Sequence, residues 1–387
     1  MPDLVPSPPA DPAPSIPRAS APPASLGWSA AWADTAVAVL VAHPGGRLGR
    51  VARVDRAFCL VATGDPAERS PQQVTAPQPT AHQPPGPQPM THATIADGVS
   101  PVTGDWVVLD PGDRVVALLP RRTTLVRGAG RTDARGQVLA ANVDLVGVVH
   151  GLSAAPNLAR IERYLALAWS SGAQPLVVLS KADLAADPEG DRAETAAATP
   201  SVEVVAVSTI PGHPARAGLD RLRDLLPAGT TGTLIGPSGV GKSSLINALL
   251  GTDLLLTRDI RADGRGRHTS VTRDLVPLPW GAMLIDTPGL RGVQMWDAED
   301  GLEATFADLV ALARECRFND CQHHGEPGCA VAAAVADGTL SARRLASYEK
   351  LLREQEWLAT RYDARLRAEQ RAKWKARARA ARSRSRP

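Results

Sequence analysis

The residues with the clearest chemical potential lie in the middle of the chain, in the stretch GPSGVGKSS at 236–244. It fits the phosphate-binding pattern G-x-x-x-x-G-K-[ST], in which a glycine-rich backbone wraps phosphates with its N–H groups. In this pattern Lys242 reaches the β- and γ-phosphates of a nucleotide, and the Ser243 hydroxyl binds Mg²⁺. We assign to this phosphate loop Gly236, Pro237, Ser238, Gly239, Val240, Gly241, Lys242, Ser243 and Ser244.

The flanking sequence favours this assignment over a chance glycine–serine turn. The apolar run TLIG precedes the loop, and KSSLINALL follows it with apolar residues at helical spacing. Gly251 stands where a glycine commonly ends a helix. A strand, a turn and a helix in this order are the context in which the pattern binds phosphate.

A second motif, SKAD at 180–183, ends the apolar run PLVVL. A strand ending in [N/T/S]-K-x-D selects guanine, because the Asp carboxylate accepts two hydrogen bonds from the guanine N1–H and N2–H₂ groups and adenine offers no such pair. We therefore assign base recognition to Asp183, with the Lys181 stem along the base, and place in the same pocket Ser180, Ala182 and Ser208. The alternative is a polar strand end without a ligand; the end of a buried parallel strand favours a ligand loop.

Two further segments complete a nucleotide site. MLIDTPG at 283–289 predicts a strand ending in D-x-x-G, with Asp286 holding Mg²⁺ through water and the Gly289 N–H sensing the γ-phosphate. GRGRHTSVTRDL at 264–275 fits a switch loop whose Thr269 closes on Mg²⁺.

The residue after Gly289 is Leu290, where many GTPases place a glutamine that orients the attacking water. His268 is the nearest polar candidate in sequence for that role. The alternative is that His268 contacts RNA phosphate or packs locally. The predicted catalytic residues are His268, Lys242 and Thr269.

A cysteine–histidine cluster lies near the carboxyl end, in CRFNDCQHHGEPGC at 316–329. Three thiolates and an imidazole at this spacing predict a closed, tetrahedral, structural zinc site rather than a magnesium or catalytic site. The predicted ligands are Cys316, Cys321, His323 and Cys329, with His324 as a rival to His323. Three cysteines within 14 residues indicate a metal site in a reducing cytoplasm rather than a disulfide framework.

The elements that position these residues alternate between strand and helix. VDLVGVVHGL, QPLVVLSKADL and VEVVAVST are apolar runs typical of buried parallel strands, and LARIERYLALAWSSG and LDRLRDLL are amphipathic helices between them. The guanine motif precedes the phosphate loop, the reverse of the usual order. The sequence therefore predicts a circularly permuted α/β nucleotide domain. Such a permutation requires little change in the fold, because the two termini of a domain are commonly close together.

Upstream, short β runs from residue 45 to about residue 127 predict a small barrel, for which the OB-fold is the common RNA-binding form.

Composition further limits the number of domains and the class of protein. The 387 residues are 44% hydrophobic, enough for two or three domains with real cores, and contain no apolar run long enough for a membrane span. The amino-terminal residues lack the pattern of a secretion signal. Prolines concentrate in 1–26 and 66–90, and such stretches do not bury enough apolar surface to fold. Residues 361–387 hold eleven basic and two acidic residues, which predicts a polyanion-binding arm.

The order SKAD, GPSGVGKSS, GRGRHTS, DTPG resembles the RsgA (YjeQ) family of circularly permuted bacterial GTPases, which act in late maturation of the small ribosomal subunit. GDWVVLD, AANVDLV and CRFNDCQHHGEPGCAV resemble the family as well. The resemblance implies an amino-terminal OB-fold, a permuted GTPase domain and a mostly helical zinc domain, and it favours His323 over His324. Ser180 departs from the pattern, in which Asn is common.

We therefore expect a disordered Pro-rich amino terminus at 1–30, an OB-fold at 31–128 with a Pro-rich loop at 65–93, a permuted GTPase domain at 129–295, a zinc domain at 296–355 and a basic helical tail at 356–387. The resemblance implies a cytoplasmic monomer that binds GTP or GDP with Mg²⁺ and one structural Zn²⁺, contacts the small ribosomal subunit and its rRNA but no membrane, and hydrolyses GTP with ribosome-stimulated turnover. Two alternatives stay open: a nucleotide-gated rRNA-binding chaperone with negligible hydrolysis, and an unrelated P-loop kinase, which would leave SKAD and DTPG unexplained.

Overall fold

The computed structural model describes residues 26–55, 58–63, 89–127, 137–251, 273–286 and 299–362. The predictions for the Pro-rich stretches and the basic tail fall largely outside these residues, as do those for His268, Thr269, Gly289 and Leu290. Within the described part of the chain, no helix combines the length and apolarity that crossing a membrane requires.

The amino-terminal strands close into a five-stranded barrel in the order β1-β2-β3-β5-β4, with β3 and β5 parallel. This number and order of strands are those of an OB-fold, so the predicted barrel is confirmed. The strands are β1 Arg47–Val54, β2 Cys59–Thr63, β3 Met90–Ile95, β4 Trp106–Leu109 and β5 Arg114–Leu118.

The structure differs from the sequence predictions at the edges of the barrel domain. A helix, α1 (Ala33–Ala42), precedes β1, and β3 begins at Met90, inside the range predicted as the Pro-rich loop. Leu26 is buried in the barrel-side core, so ordered packing begins before residue 31. A hairpin of β6 (Thr124–Arg127) and β7 (Gln137–Ala141) spans the boundary expected at 128–129.

The central sheet has six strands in the order β10-β9-β8-β11-β13-β12. The apolar runs identified in the sequence form its parallel strands, as predicted. Only β12, at the edge, is antiparallel, because it joins β13 by a tight turn in which Leu278 N–H donates to Ala282 O at 2.8 Å. The strands are β8 Leu145–Gly151, β9 Gln174–Ser180, β10 Glu203–Val207, β11 Thr231–Ile235, β12 Asp274–Pro277 and β13 Met283–Asp286.

Helices cover both faces of this sheet. On one face α2 (Leu158–Ser170) and α3 (Pro188–Ala198) pack into a core that continues into the barrel. On the other face α4 (Gly218–Leu225) and α5 (Lys242–Leu250) pack into a second core. Successive side chains of a strand point to opposite faces, so the apolar strands supply both cores at once.

The carboxyl-terminal part of the described chain is helical. Gly301 lies so close to α2 that a Cβ there would come within 2.1 Å of Ala166 O, so the first of these helices packs directly on α2 of the central domain. Ala166 itself belongs to the carboxyl-terminal apolar core. The helices are α6 Glu299–Thr305, α7 Ala307–Ala313, α8 Ala330–Ala336 and α9 Ala342–Tyr362.

A buried ion network fixes α9 to α2. The fully buried carboxylate of Glu162 accepts two hydrogen bonds from Arg343 at 3.0 Å each and one from Arg344 at 3.1 Å. Arg344, 5% exposed, also binds both carboxylate oxygens of Asp308 at 2.7 Å. Because removing one partner would leave a buried charge unpaired, at a cost of about 3–5 kcal/mol, the network holds the two regions in one arrangement.

Candidate nucleotide and metal sites

The phosphate loop lies between the end of β11 and the start of α5, as predicted. Gly236 has φ +146°, and a Cβ there would come within 2.4 Å of Val149 O. Gly241, at the amino-terminal cap of α5, has φ +92°. Only glycine adopts both conformations without strain, so the loop has the glycine-dependent turn before a helix amino terminus that the phosphate-binding pattern requires.

Lys242 lies folded over this turn. Its Nζ donates to Gly236 O at 2.8 Å and to Pro237 O at 2.7 Å. Burial lowers the pKa of the ammonium, and the nearby Asp286 carboxylate opposes that shift. The lysine charge therefore lies inside the loop, where the pattern requires it to meet phosphate.

The guanine motif lies beside the phosphate loop at the carboxyl edge of the sheet. β9 ends at Ser180, whose hydroxyl lies within hydrogen-bonding distance of Val240 O and of His150 O, the latter at 3.2 Å. Lys181 follows with φ 57°, and its Nζ donates to Gly239 O at 2.7 Å. Two hydrogen bonds thus join the guanine motif to the phosphate loop, about sixty residues apart in sequence. Ser180 makes one of these bonds, although Asn is common at its position.

The Asp183 carboxylate is oriented by Ser208, which follows the neighbouring strand β10. The buried Ser208 hydroxyl, just after β10, donates to Asp183 Oδ1 at 2.7 Å and accepts from Ile210 N–H at 3.1 Å. The bond fixes the rotation of the carboxylate, so one oxygen is anchored by Ser208 while both retain lone pairs for a base. The structure thereby gives Ser208 a specific role that the sequence assignment lacked.

The cysteine–histidine cluster forms a compact ligand set between α7 and α8. One atom each of Cys316, Cys321, His323 and Cys329 lies within 4.8 Å of the others. Cys316 Sγ is 3.9 Å from Cys329 Sγ and 3.7 Å from His323 Nδ1, and Cys329 Sγ is 3.5 Å from that nitrogen. Tetrahedral zinc, with bonds of about 2.3 Å to sulfur and about 2.0 Å to nitrogen, separates its ligands by about 3.5–3.8 Å. The donors and distances therefore fit zinc.

The rival ligand lies apart from the cluster. The His324 side chain is 66% exposed, and its Nδ1 lies 3.9 Å from Glu349. All four cysteines of the chain are free thiols, and none forms a disulfide. The geometry therefore favours His323.

Comparison with known proteins decides the family. Residues 118–296 match the family model described as RsgA GTPase. A small ribosomal subunit biogenesis GTPase RsgA of Streptomyces coelicolor is 47% identical over 363 residues, covering 91% of this chain and 92% of the relative. The chain belongs to the RsgA GTPase family. It is a GTP-hydrolysing enzyme, and the family expected from the sequence motifs is confirmed.

Other relatives and solved structures agree. A protein of the same name from Xanthomonas axonopodis pv. citri is 44% identical over 353 residues, covering 87% of this chain and 90% of the relative. Two solved structures match with a TM-score of 0.55: YjeQ from Thermotoga maritima, 23% identical over 80% of this chain and 98% of that one, and YloQ, described as a circularly permuted GTPase, 21% identical over 81% and 96%. These likenesses support the permuted fold.

The side of the nucleotide site that the sequence predicts to hold Mg²⁺, called the magnesium side below, lies at the end of β13. Burial raises the pKa of Asp286, Asp274 adds to this, and Lys242 opposes it. Asp274 is the residue opposite Asp286 on β12, and it lies in the segment GRGRHTSVTRDL without a role assigned from the sequence. The Asp286 carboxylate and the Ser243 hydroxyl are the hard oxygen donors that Mg²⁺ prefers, so the described residues fit the ion.

Loss of the Ser180 tether should weaken nucleotide binding moderately. Ser180→Ala removes the hydroxyl that bonds to Val240 O and leaves the two motifs less well fixed, so we expect GDP affinity to fall about three- to tenfold, as for one lost hydrogen bond. Titration with a fluorescent GDP analogue measures it. Ser170→Ala is a matched control, because that hydroxyl bonds only to Leu167 O within α2. Equal affinities for the two variants would contradict the tether.

Proposed function

We propose that this RsgA-family enzyme binds the small ribosomal subunit, assists its late maturation, and hydrolyses GTP with turnover that the bound subunit stimulates. The observation that carries the proposal is the relative from Streptomyces coelicolor, named a small ribosomal subunit biogenesis GTPase and similar over 91% of the chain. The juxtaposed phosphate loop and guanine motif supply the nucleotide site that such an activity needs.

Within that site we assign roles by chemistry. Asp183 and Ser208 select guanine, Lys181 lies along the base, and Lys242 stabilises charge on the β- and γ-phosphates. Ser243 and Thr269 would hold Mg²⁺ directly and Asp286 through water. Bound Mg²⁺ neutralises charge that develops on the phosphates.

Two roles belong to residues beyond the described ranges. The Gly289 N–H would contact the γ-phosphate, and His268 would orient the attacking water and accept its proton. Leu290, which has no donor or acceptor, motivates the assignment to His268. Hydrolysis by the free protein should then be slow, because Leu290 cannot orient the attacking water and we assign that role to His268 in the complex with the subunit.

We further propose that one zinc ion on Cys316, Cys321, His323 and Cys329 holds the carboxyl-terminal region together without taking part in hydrolysis. With four protein ligands the site has no open position for substrate. The domain limits predicted from the sequence stand as part of this proposal, with the corrections at residues 26–30 and 90–93 noted above.

The partner surface is assigned from fold and charge. The OB-type barrel and the basic arm at 361–387 contact rRNA, the protein works as a cytoplasmic monomer, and no membrane is involved. The alternative function is a nucleotide-gated rRNA chaperone with negligible hydrolysis. Nothing in the described site favours it over the enzyme.

The test is GTP turnover of wild type and His268→Ala, each with and without purified small subunits. We expect the subunit to accelerate wild type strongly and His268→Ala to lose about 100-fold of the stimulated rate, the typical effect of a general base. GDP affinity and subunit binding of the variant, measured separately, should match wild type. Stimulation that survives in His268→Ala would place the water-orienting group elsewhere, and a wild type that does not bind the subunit would refute the proposed function.

A further inference from the structure

An ion pair links the barrel to the nucleotide sheet, beside the apolar core that the two share. Arg53, on β1, binds both carboxylate oxygens of Asp274, the first residue of β12, with the Nη2–Oδ2 distance at 2.9 Å. A second contact stands beside it: Thr103 Oγ1 donates to Arg273 O at 3.0 Å. The side chains of Arg53 and Asp274 are 40% and 30% exposed, so the ion pair lies at the edge of the contact between the barrel and the sheet.

The barrel backbone directs Arg53 into this position. The β1–β2 register shifts between Val51 and Arg53, where Val51 pairs with Val61 and Arg53 with Leu60. An extra residue in one strand turns the side chains that follow it, and such bulges recur next to active sites. Arg53 follows this irregularity directly, and its side chain reaches Asp274, which is 221 positions away in sequence.

The partner of Arg53 faces the magnesium side of the site. Asp274 and Asp286 are directly opposite on the antiparallel β12–β13 pair. Residues in that relation share one face of the sheet, and like charges there repel each other. Asp286 interacts electrostatically with Lys242 of the phosphate loop as well as with Asp274. Four charges are thus linked, two cations and two carboxylates: Arg53, Asp274, Asp286 and Lys242.

We propose that Arg53, contributed by the barrel, is the counter-ion that keeps Asp274 from opposing the nucleotide phosphates. With Arg53 in place, Asp274 is paired, and Asp286 is the carboxylate of the β12–β13 pair that is available for Mg²⁺. Without Arg53, a second negative charge stands beside the polyanionic phosphates, most strongly when Mg²⁺ is scarce. Arg53 acts through Asp274 and is a positioning residue. The role rests on the nucleotide site proposed above and is independent of any ribosomal partner.

The test is the affinity of the full chain for a fluorescent GDP analogue, at saturating Mg²⁺ and in Mg²⁺-free buffer. One uncompensated charge near the phosphates, partly screened by water, should weaken Mg²⁺-free binding of Arg53→Ala about fivefold, with a smaller loss at saturating Mg²⁺. Asp274→Asn should remain within about twofold of wild type, and so should the double variant Arg53→Ala/Asp274→Asn, because removing the unpaired charge relieves the effect.

Two further variants separate charge from structure. Arg53→Lys keeps the cation and should stay near wild type, whereas Arg53→Gln should behave like Arg53→Ala. Arg47→Ala breaks a barrel ion pair of similar exposure, with Asp113, that does not reach the sheet, and should leave GDP affinity unchanged. If Arg53→Ala binds like wild type, or if the double variant stays as weak as Arg53→Ala, the counter-ion role is wrong. A wild type that fails to bind GDP would refute the nucleotide site itself.

Discussion

Asp183→Asn should exchange the base preference of the enzyme from guanine to xanthine, with the ratio of GTP to XTP affinity changing by about 10⁴. In the structure the Ser208 hydroxyl donates to one carboxylate oxygen of Asp183 at 2.7 Å. An asparagine would therefore keep its amide oxygen at Ser208 and present its NH₂ group to the base. Guanine offers a donor at N2 and would face another donor, whereas xanthine offers a carbonyl there.

The measurement is competition of GTP and XTP against a fluorescent nucleotide. Asp187→Asn is a matched control, because that carboxylate caps α3 by accepting from Gly190 N–H at 2.9 Å and lies outside the proposed pocket. Thermal melting should show both variants folded. An unchanged preference for GTP in Asp183→Asn would remove the guanine assignment from SKAD.

Local motifs were predictable because their geometry is set by adjacent residues. The phosphate loop, α5 and the αL glycine at Gly251 depend on a stretch of 16 residues, and the structure places them as the pattern predicts. The amphipathic spacing of LARIERYLALAWSSG likewise predicted α2. In contrast α1, ADTAVAVLVA, is apolar on almost every side, so it carries no helical periodicity to detect.

Contacts between distant single residues were not predictable. Arg53 and Asp274 are 221 residues apart, Ser180 and Val240 are 60 apart, and Glu162 pairs with two arginines more than 180 positions away. A lone charged or hydroxyl side chain carries no period and no spacing rule, so only the tertiary fold shows its partner. The spacing alone likewise did not separate His323 from its neighbour His324, and the prediction of His323 rested on the family resemblance.

Loss of zinc should unfold the carboxyl-terminal region. Between α7 and α8 the chain forms no helix or strand, and Cys316, Cys321 and the buried Cys329 contact the apolar core of this region. Structural zinc contributes an apparent binding free energy of about 10–16 kcal/mol, as large as the net stability of a whole domain, about 5–15 kcal/mol. We expect about one zinc per chain. Its chelation should produce protease-sensitive sites near residues 305–350 and a marked loss of thermal stability.

The two neighbouring histidines provide the sharpest form of this test. His323→Ala should lose most of the zinc and destabilise the region, whereas His324→Ala, at an exposed position beside Glu349, should retain both. Full zinc content in His323→Ala, or its loss only in His324→Ala, would contradict the ligand set. The guanine and phosphate motifs lie at the carboxyl edge of the central sheet and share no described ligand with the metal cluster. GDP binding by the zinc-free protein should therefore persist while the helical region unfolds, as expected if zinc supports the fold of that region and takes no part in hydrolysis.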